Sequence, residues 1–308
     1  MKLSRTLFIL CILAGLFAAI QSGVGLLYHP AGDPFTVTSI HGEEVELYGR
    51  GIYAYDSYFK GPINRGTDAV TLFLAVPMLA VSLYYAKKGT ICGRLFLTAV
   101  LAYLLYIAAS VSMGVAYNNL FLVYTVQFAT ALFAFILAFS GIDVADLARR
   151  TSEKLPRKGI AALLFFAGAG VTFAWLPDLL SALAENRIPF IQTYTTGLTG
   201  VLDLGIIAPS AFLAGILFLR RKPLGTLLAA TLMIVLAIVA VTVTSQTVFQ
   251  TLAGLTFPIP VYVFKVGSFV VLGAFAVGLI VRLVQSIAEG PAEAPSSKGR
   301  KVARAARA

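Results

Sequence analysis

Long uninterrupted apolar blocks, neither alternating nor one-faced, dominate this chain, and most are flanked by basic residues, glycine or proline. A helix rises about 1.5 Å per residue and the bilayer hydrocarbon is about 30 Å thick, so about 20 apolar residues make one crossing. Eight blocks answer to that length: Leu7–Leu27, Ala69–Ala86, Ile91–Met113, Asn119–Ser140, Ile160–Leu176, Leu198–Leu219, Leu224–Phe249 and Val261–Val281. The pattern predicts an all-α polytopic membrane protein with eight transmembrane helices. A period of two appears in the loop 28–67. There the β-prone runs 35–40 and 43–48 flank His41-Gly42, which predicts a small hairpin over 35–48 with Gly42 in its turn.

Charge orients the crossings. Of the 24 Lys and Arg residues, all but Arg50, Lys60, Arg65, Arg187 and Lys265 fall before the first block, in or beside alternate loops (Arg94 just inside the third block), or after the last block. Excess Lys and Arg mark the cytoplasmic side, so both termini are expected inside and the hairpin loop outside. The first block begins with basic residues, as a signal peptide does, but its apolar run continues to Leu27 without a clear cleavage site; it reads as an uncleaved anchor. The expected location is the cytoplasmic membrane of a prokaryote. The stretch 289–308, rich in Ala, Lys and Arg with two prolines, is expected to be a disordered cytoplasmic tail.

Composition agrees: 58% of residues are apolar and 12% charged, with a mean hydropathy of +0.87. Soluble domains carry about 45–50% apolar and about 25% charged residues, so soluble enzyme folds are excluded. Cys11 and Cys92 lie in apolar blocks, and His29 and His41 lie outside them, so neither a disulfide framework nor a metal or haem centre is expected, and no cofactor is. The net charge of +10 is spread along the chain without a nucleic-acid motif. Serine-hydrolase elbows, phosphate-binding loops and metalloprotease helices are missing from the sequence.

The two parts of the chain, 1–148 and 149–288, repeat an order of features. Asp68 is followed by Pro77, a basic pair and Gly89-Thr90; Asp203 is followed by Pro209, a basic triplet and Gly225-Thr226. Val123-Tyr124 precedes Gln127 as Val261-Tyr262 precedes Lys265. Four helices followed by four of the same orientation would be a parallel repeat, an arrangement that places sites between halves.

The candidate chemistry lies toward the hairpin side. Arg50, Asp56, Lys60, Arg65 and Asp68 cluster among glycines and tyrosines, with Arg65 and Asp68 also readable as the cap of the second block. Asn118 joins this group, or simply makes its turn, and the stretch 178–194 with Glu185, Arg187 and Gln192 borders it. Asp203 and Lys265 lie within apolar blocks, where a lone charge costs about 2.5–3.5 kcal/mol; they are expected to pair and to share one cavity with Arg50 or Arg65. Gln127 reads as an interhelical hydrogen-bonding residue. The expected partners are the lipid bilayer and a small solute or lipid headgroup. The leading reading is binding or transport of a small polar or anionic solute. The alternatives are an enzyme acting on a lipid-linked phosphate and a structural subunit of a membrane complex.

Overall fold

The computed structural model describes residues 3–28 and 30–288, excepting the side chain of Lys265, so the tail expected over 289–308 lies outside the described residues. In chain order the helices are α1 Arg5–Leu27, α2 Lys60–Lys87, α3 Ile91–Gly114, α4 Phe121–Ser140, the short α5 Val144–Arg150, α6 Arg157–Ala184, α7 Leu198–Leu219, α8 Pro223–Leu252 and α9 Ile259–Ser286. Eight of them, all but α5, are long and apolar enough to cross a membrane. Large apolar side chains such as Phe73, Phe166, Phe173 and Phe275 stand exposed on the outside of the bundle, as lipid contact requires. This is a membrane-spanning helical protein.

α3 and α8 are the most buried helices and pack against each other. Leu97, Leu101 and Leu104 of α3 meet a core that includes Leu227, Met233 and Ile234 of α8. Within 1–148, α1 packs on α2 and α4, and α3 lies between α2 and α4; within 149–288, α6 packs on α7, and α8 lies between α7 and α9. Two local features recur. A π-turn opens at Thr71 in α2 and at Asp203 in α7, and each is followed by a proline, Pro77 or Pro209, in the first turn of the continuing helix. Proline has no N–H and crowds the carbonyl four residues back, and a widened turn relieves that crowding. In this register Thr71, not Asp68, stands where Asp203 does; Asp68 lies one turn earlier. α9 carries a further π-turn over Tyr262–Gly267, whereas α4 is regular.

α2 starts at Lys60, well before the expected Ala69. The extra turns are polar, which hid them from a hydropathy reading, but Pro62 suits a first helical turn and the polar side chains find partners on other elements. Lys60, Arg65 and Asp68 are therefore inside a helix, and Asp68 caps nothing. The hairpin forms as expected: β1 Phe35–Thr38 pairs antiparallel with β2 Glu44–Leu47, with Phe35 opposite Leu47, and Gly42 has φ +83°. Val45 and Leu47 are buried, so the hairpin is seated on the bundle.

Candidate functional site

Asp68 is, with Asp56, one of two fully buried acids among the described residues. Its carboxylate is fully buried and accepts from Gln21 Nε2 of α1 and, at 2.7 Å, from the Tyr53 hydroxyl. Tyr53 comes from a short 3-10 turn, Gly51–Tyr53, between the hairpin and α2. Gly25 lets the α1 backbone reach this carboxylate: a Cβ there would strike Asp68 Oδ2 and stand 2.8 Å from the Tyr53 hydroxyl. On α4 the buried Tyr124 hydroxyl sits beside Tyr53 and Asn118 without completing a hydrogen bond to either. Gln127 lies one turn along the same helix. It is fully buried and neither amide atom has a partner; Gln21 Oε1 has none either. The interhelical bond expected of Gln127 is thus not made to any described side chain. Such atoms cost about 1–3 kcal/mol each when buried unpaired, which makes this cluster of amides and hydroxyls ready to bind a polar group.

A second group covers the first. Asp56 Oδ1 accepts from the Tyr194 hydroxyl at 2.6 Å and from the Ala116 N–H at 3.0 Å, while Oδ2 is buried without a partner. Ser57 donates to Gln192 at 2.6 Å, and His41 Nε2 lies 3.3 Å from the Tyr194 carbonyl, so the connection between α6 and α7 is pinned across the hairpin end of the bundle. Burial pushes the Asp56 carboxyl up to about 6 from 3.8, against the hydrogen bonds from Tyr194 and Ala116 and the charge of Lys60. A carboxyl that holds its proton more tightly in the folded chain adds stability at low pH and loses it as pH rises from about 4 to about 6. Between pH 7 and pH 5 this group should raise stability by about 1.3 kcal/mol. Thermal melting of the detergent-solubilised protein should show that rise, and Asp56→Asn should flatten it; an unaltered pH profile in the variant would reject the assignment.

The cations are taken up locally. Lys60 Nζ donates to the Gly114 carbonyl at 3.3 Å and sits 4.0 Å over the Tyr194 ring. Arg65 donates to the Leu26 carbonyl at 3.2 Å and the Tyr48 hydroxyl at 3.3 Å, and faces the Phe249 ring. Arg50 is exposed and donates to the Gly32 carbonyl at 2.9 Å. Asn118 makes the turn before α4, accepting from the Leu120 N–H at 2.9 Å.

Asp203 occupies a separate position. It accepts from the Tyr106 hydroxyl of α3 and from Trp175 Nε1 of α6, each at 2.8 Å. The expected partner Lys265 lies on α9, its side chain outside the described residues. Seven of the eight residues singled out by sequence therefore sort into Asp68 with Arg65 nearby, Asp56 with Lys60 and Asn118, Arg50 at the surface, and Asp203; the arginines and Asp203 share no described partner, and the side chain of the eighth, Lys265, lies outside the described residues. Gln21, Tyr53, Tyr106, Trp175 and Tyr194 complete these groups; Tyr53 and Tyr194 fall in the tyrosine-rich stretch and the 178–194 segment marked from sequence, whereas Gln21, Tyr106 and Trp175 were not foreseen. An amide or indole inside an apolar block was the available signal for Gln21 and Trp175. Two clefts of about 480 and 500 Å³ lie between α8 and α9, lined by residues such as Thr247, Val248, Tyr262 and Val270 and by none of these groups. Comparison with known protein families, curated proteins and solved structures finds no match.

Proposed function

We propose that this membrane protein binds and translocates a small polar solute, with the buried polar cluster around Asp68 as its binding site and the hairpin end facing outward. The observation that carries this reading is Gln127: a fully buried amide with donor and acceptor both unpartnered, one helical turn from Tyr124, whose own unpartnered hydroxyl sits beside Tyr53 of the Asp68 cluster. Such a set offers both donors and acceptors, which suits a solute bearing both. Lys60 and Arg65, already engaged with carbonyls and rings, argue for a polar more than a strongly anionic solute. The π-turns flanking Pro77 and Pro209 add support, since π-turns and interrupted helices recur at the functional sites of membrane proteins. The outward assignment rests on the basic residues concentrated at the opposite end.

The test is thermal stabilisation of the purified protein by a panel of amino acids, sugars, nucleosides and short carboxylates, followed by uptake into proteoliposomes. A stabilising compound is expected, and its affinity should fall about tenfold or more in Gln127→Leu and in Asp68→Asn, as removal of one charge-assisted or buried hydrogen bond implies. Affinity unchanged in both variants would move the site elsewhere.

A further inference from the structure

Trp175 and Asp203 form a pair that the proposed solute site does not use. Asp203 stands at the first position of the α7 π-turn, inside a membrane crossing, and both of its described partners are neutral donors from other helices. The indole of Trp175 is seated against Gly200, where a Cβ would stand 3.2 Å from the ring, so its N–H is directed at the carboxylate by packing. The other titratable groups facing this site can be named by element. α3 brings Tyr106 and, one turn away, Tyr103. α6 brings Asp178 one turn beyond Trp175, already held by Arg187 at 2.8 Å and by the Phe190 N–H. α9 carries Lys265, whose side chain lies outside the described residues, and α8 has no ionisable side chain. Tyr103 in turn bonds Thr242 at 3.1 Å, sits beside Thr71, and lies within electrostatic reach of both Asp68 and Tyr106. A polar file thus runs from Asp68 in one half through α3 to Asp203 in the other.

We infer that Asp203 is a proton-binding site within the membrane and that its occupancy is linked to Asp68 through Tyr103 and Tyr106. The carboxylate takes a proton from water to become a carboxylic acid and returns it to water, with no other bond made or broken. An acid inside a crossing, held by neutral hydroxyl and indole donors, can exist in either state without stranding a partner charge, as proton-coupled sites require. The proton site goes beyond the solute reading and stands without it; the link adds a coupling ion to that reading.

Trp175 is the single tryptophan of the chain, so it reports on Asp203 directly. Its fluorescence in the purified protein, titrated without any solute, should follow a one-proton transition, and Asp203→Asn should abolish it. Tyr106→Phe removes a donor that favours the ionised form, so the midpoint should rise. Asp68→Asn fixes that position in an uncharged form, so with the two occupancies linked the midpoint should fall. A flat titration, or one that persists in Asp203→Asn, overturns the proton site. Its disappearance in Lys265→Gln assigns the proton to the amine and also overturns it. An unmoved midpoint in Asp68→Asn overturns the link. If Asp203→Asn yields no folded protein, Tyr106→Phe decides: an upward shift supports the site and an unchanged midpoint rejects it. Failure of every solute in the binding panel leaves these outcomes unaffected.

Discussion

Replacing Gly25 with alanine is expected to destabilise the detergent-solubilised protein by about 3 kcal/mol. In an exposed helix the same change would stabilise by about 1 kcal/mol, because alanine loses less backbone freedom than glycine. Here the added methyl would occupy the place of Asp68 Oδ2 and press on the Tyr53 hydroxyl. The carboxylate must then leave its donors, or α1 must move off α2. Overpacking costs about 1–3 kcal/mol, and a broken charge-assisted bond in a buried setting about 1.5–3 kcal/mol, so the sum outweighs the propensity gain. Gly23, on the same helix with nothing near its Cβ position, supplies the control: Gly23→Ala should melt at or slightly above the native temperature. Equal melting of the two variants would mean that α1 does not approach Asp68 as described.

An effect of about 3–5 kcal/mol is expected from Gly66→Ala, where two helix backbones touch. A Cβ at Gly66 would stand 2.5 Å from Gln246 Cα and 2.7 Å from Gln246 N. Backbone atoms cannot swing aside as a side chain can, so α2 and α8 must separate. That separation also breaks the bond from Ser245 to the Gly66 carbonyl at 2.8 Å and the one from Gln246 to Thr67 at 2.9 Å. Close approach through small residues is the main way membrane helices gain packing energy, since lipid offers no hydrophobic incentive to associate. Gly278→Ala on α9, where no atom lies near the Cβ position, should be neutral, and reduced folded yield confined to Gly66→Ala is the expected outcome. Retention of native melting in Gly66→Ala would contradict the α2–α8 contact.

The destabilisation by Gly25→Ala bears on function as well as on stability. The same glycine that permits the α1–α2 approach positions Gln21 over Asp68, so a variant that survives folding should also lose solute binding. The pH response of Asp56 belongs to a separate layer above it, because Asp56 is held by the α6–α7 connection through Tyr194 and not by α1.

Sequence alone determined the eight crossings, the hairpin with Gly42 in its turn, and the gathering of basic residues at one end. Each of these is a local property: apolar length, alternation over a few residues, or the side of a crossing on which a charge falls. It also marked Asp203 as notable, because an acid inside an apolar block is visible without knowing its neighbours, whereas it left Asp68 among the charges just ahead of the second block. Tertiary structure decided the rest. Polar residues from Lys60 to Asp68 became helix because Leu26, Tyr48, Gly114 and Tyr53 supply their hydrogen bonds from distant parts of the chain. Asp203 met Tyr106 and Trp175 because α3 and α6 lie against α7, a fact carried by no spacing within any one segment. Which donor reaches which carboxylate depends on helix rotation and on backbone approach at positions such as Gly25 and Gly66. Those are set by packing between elements far apart in sequence, and apolar helices of similar composition encode them only jointly.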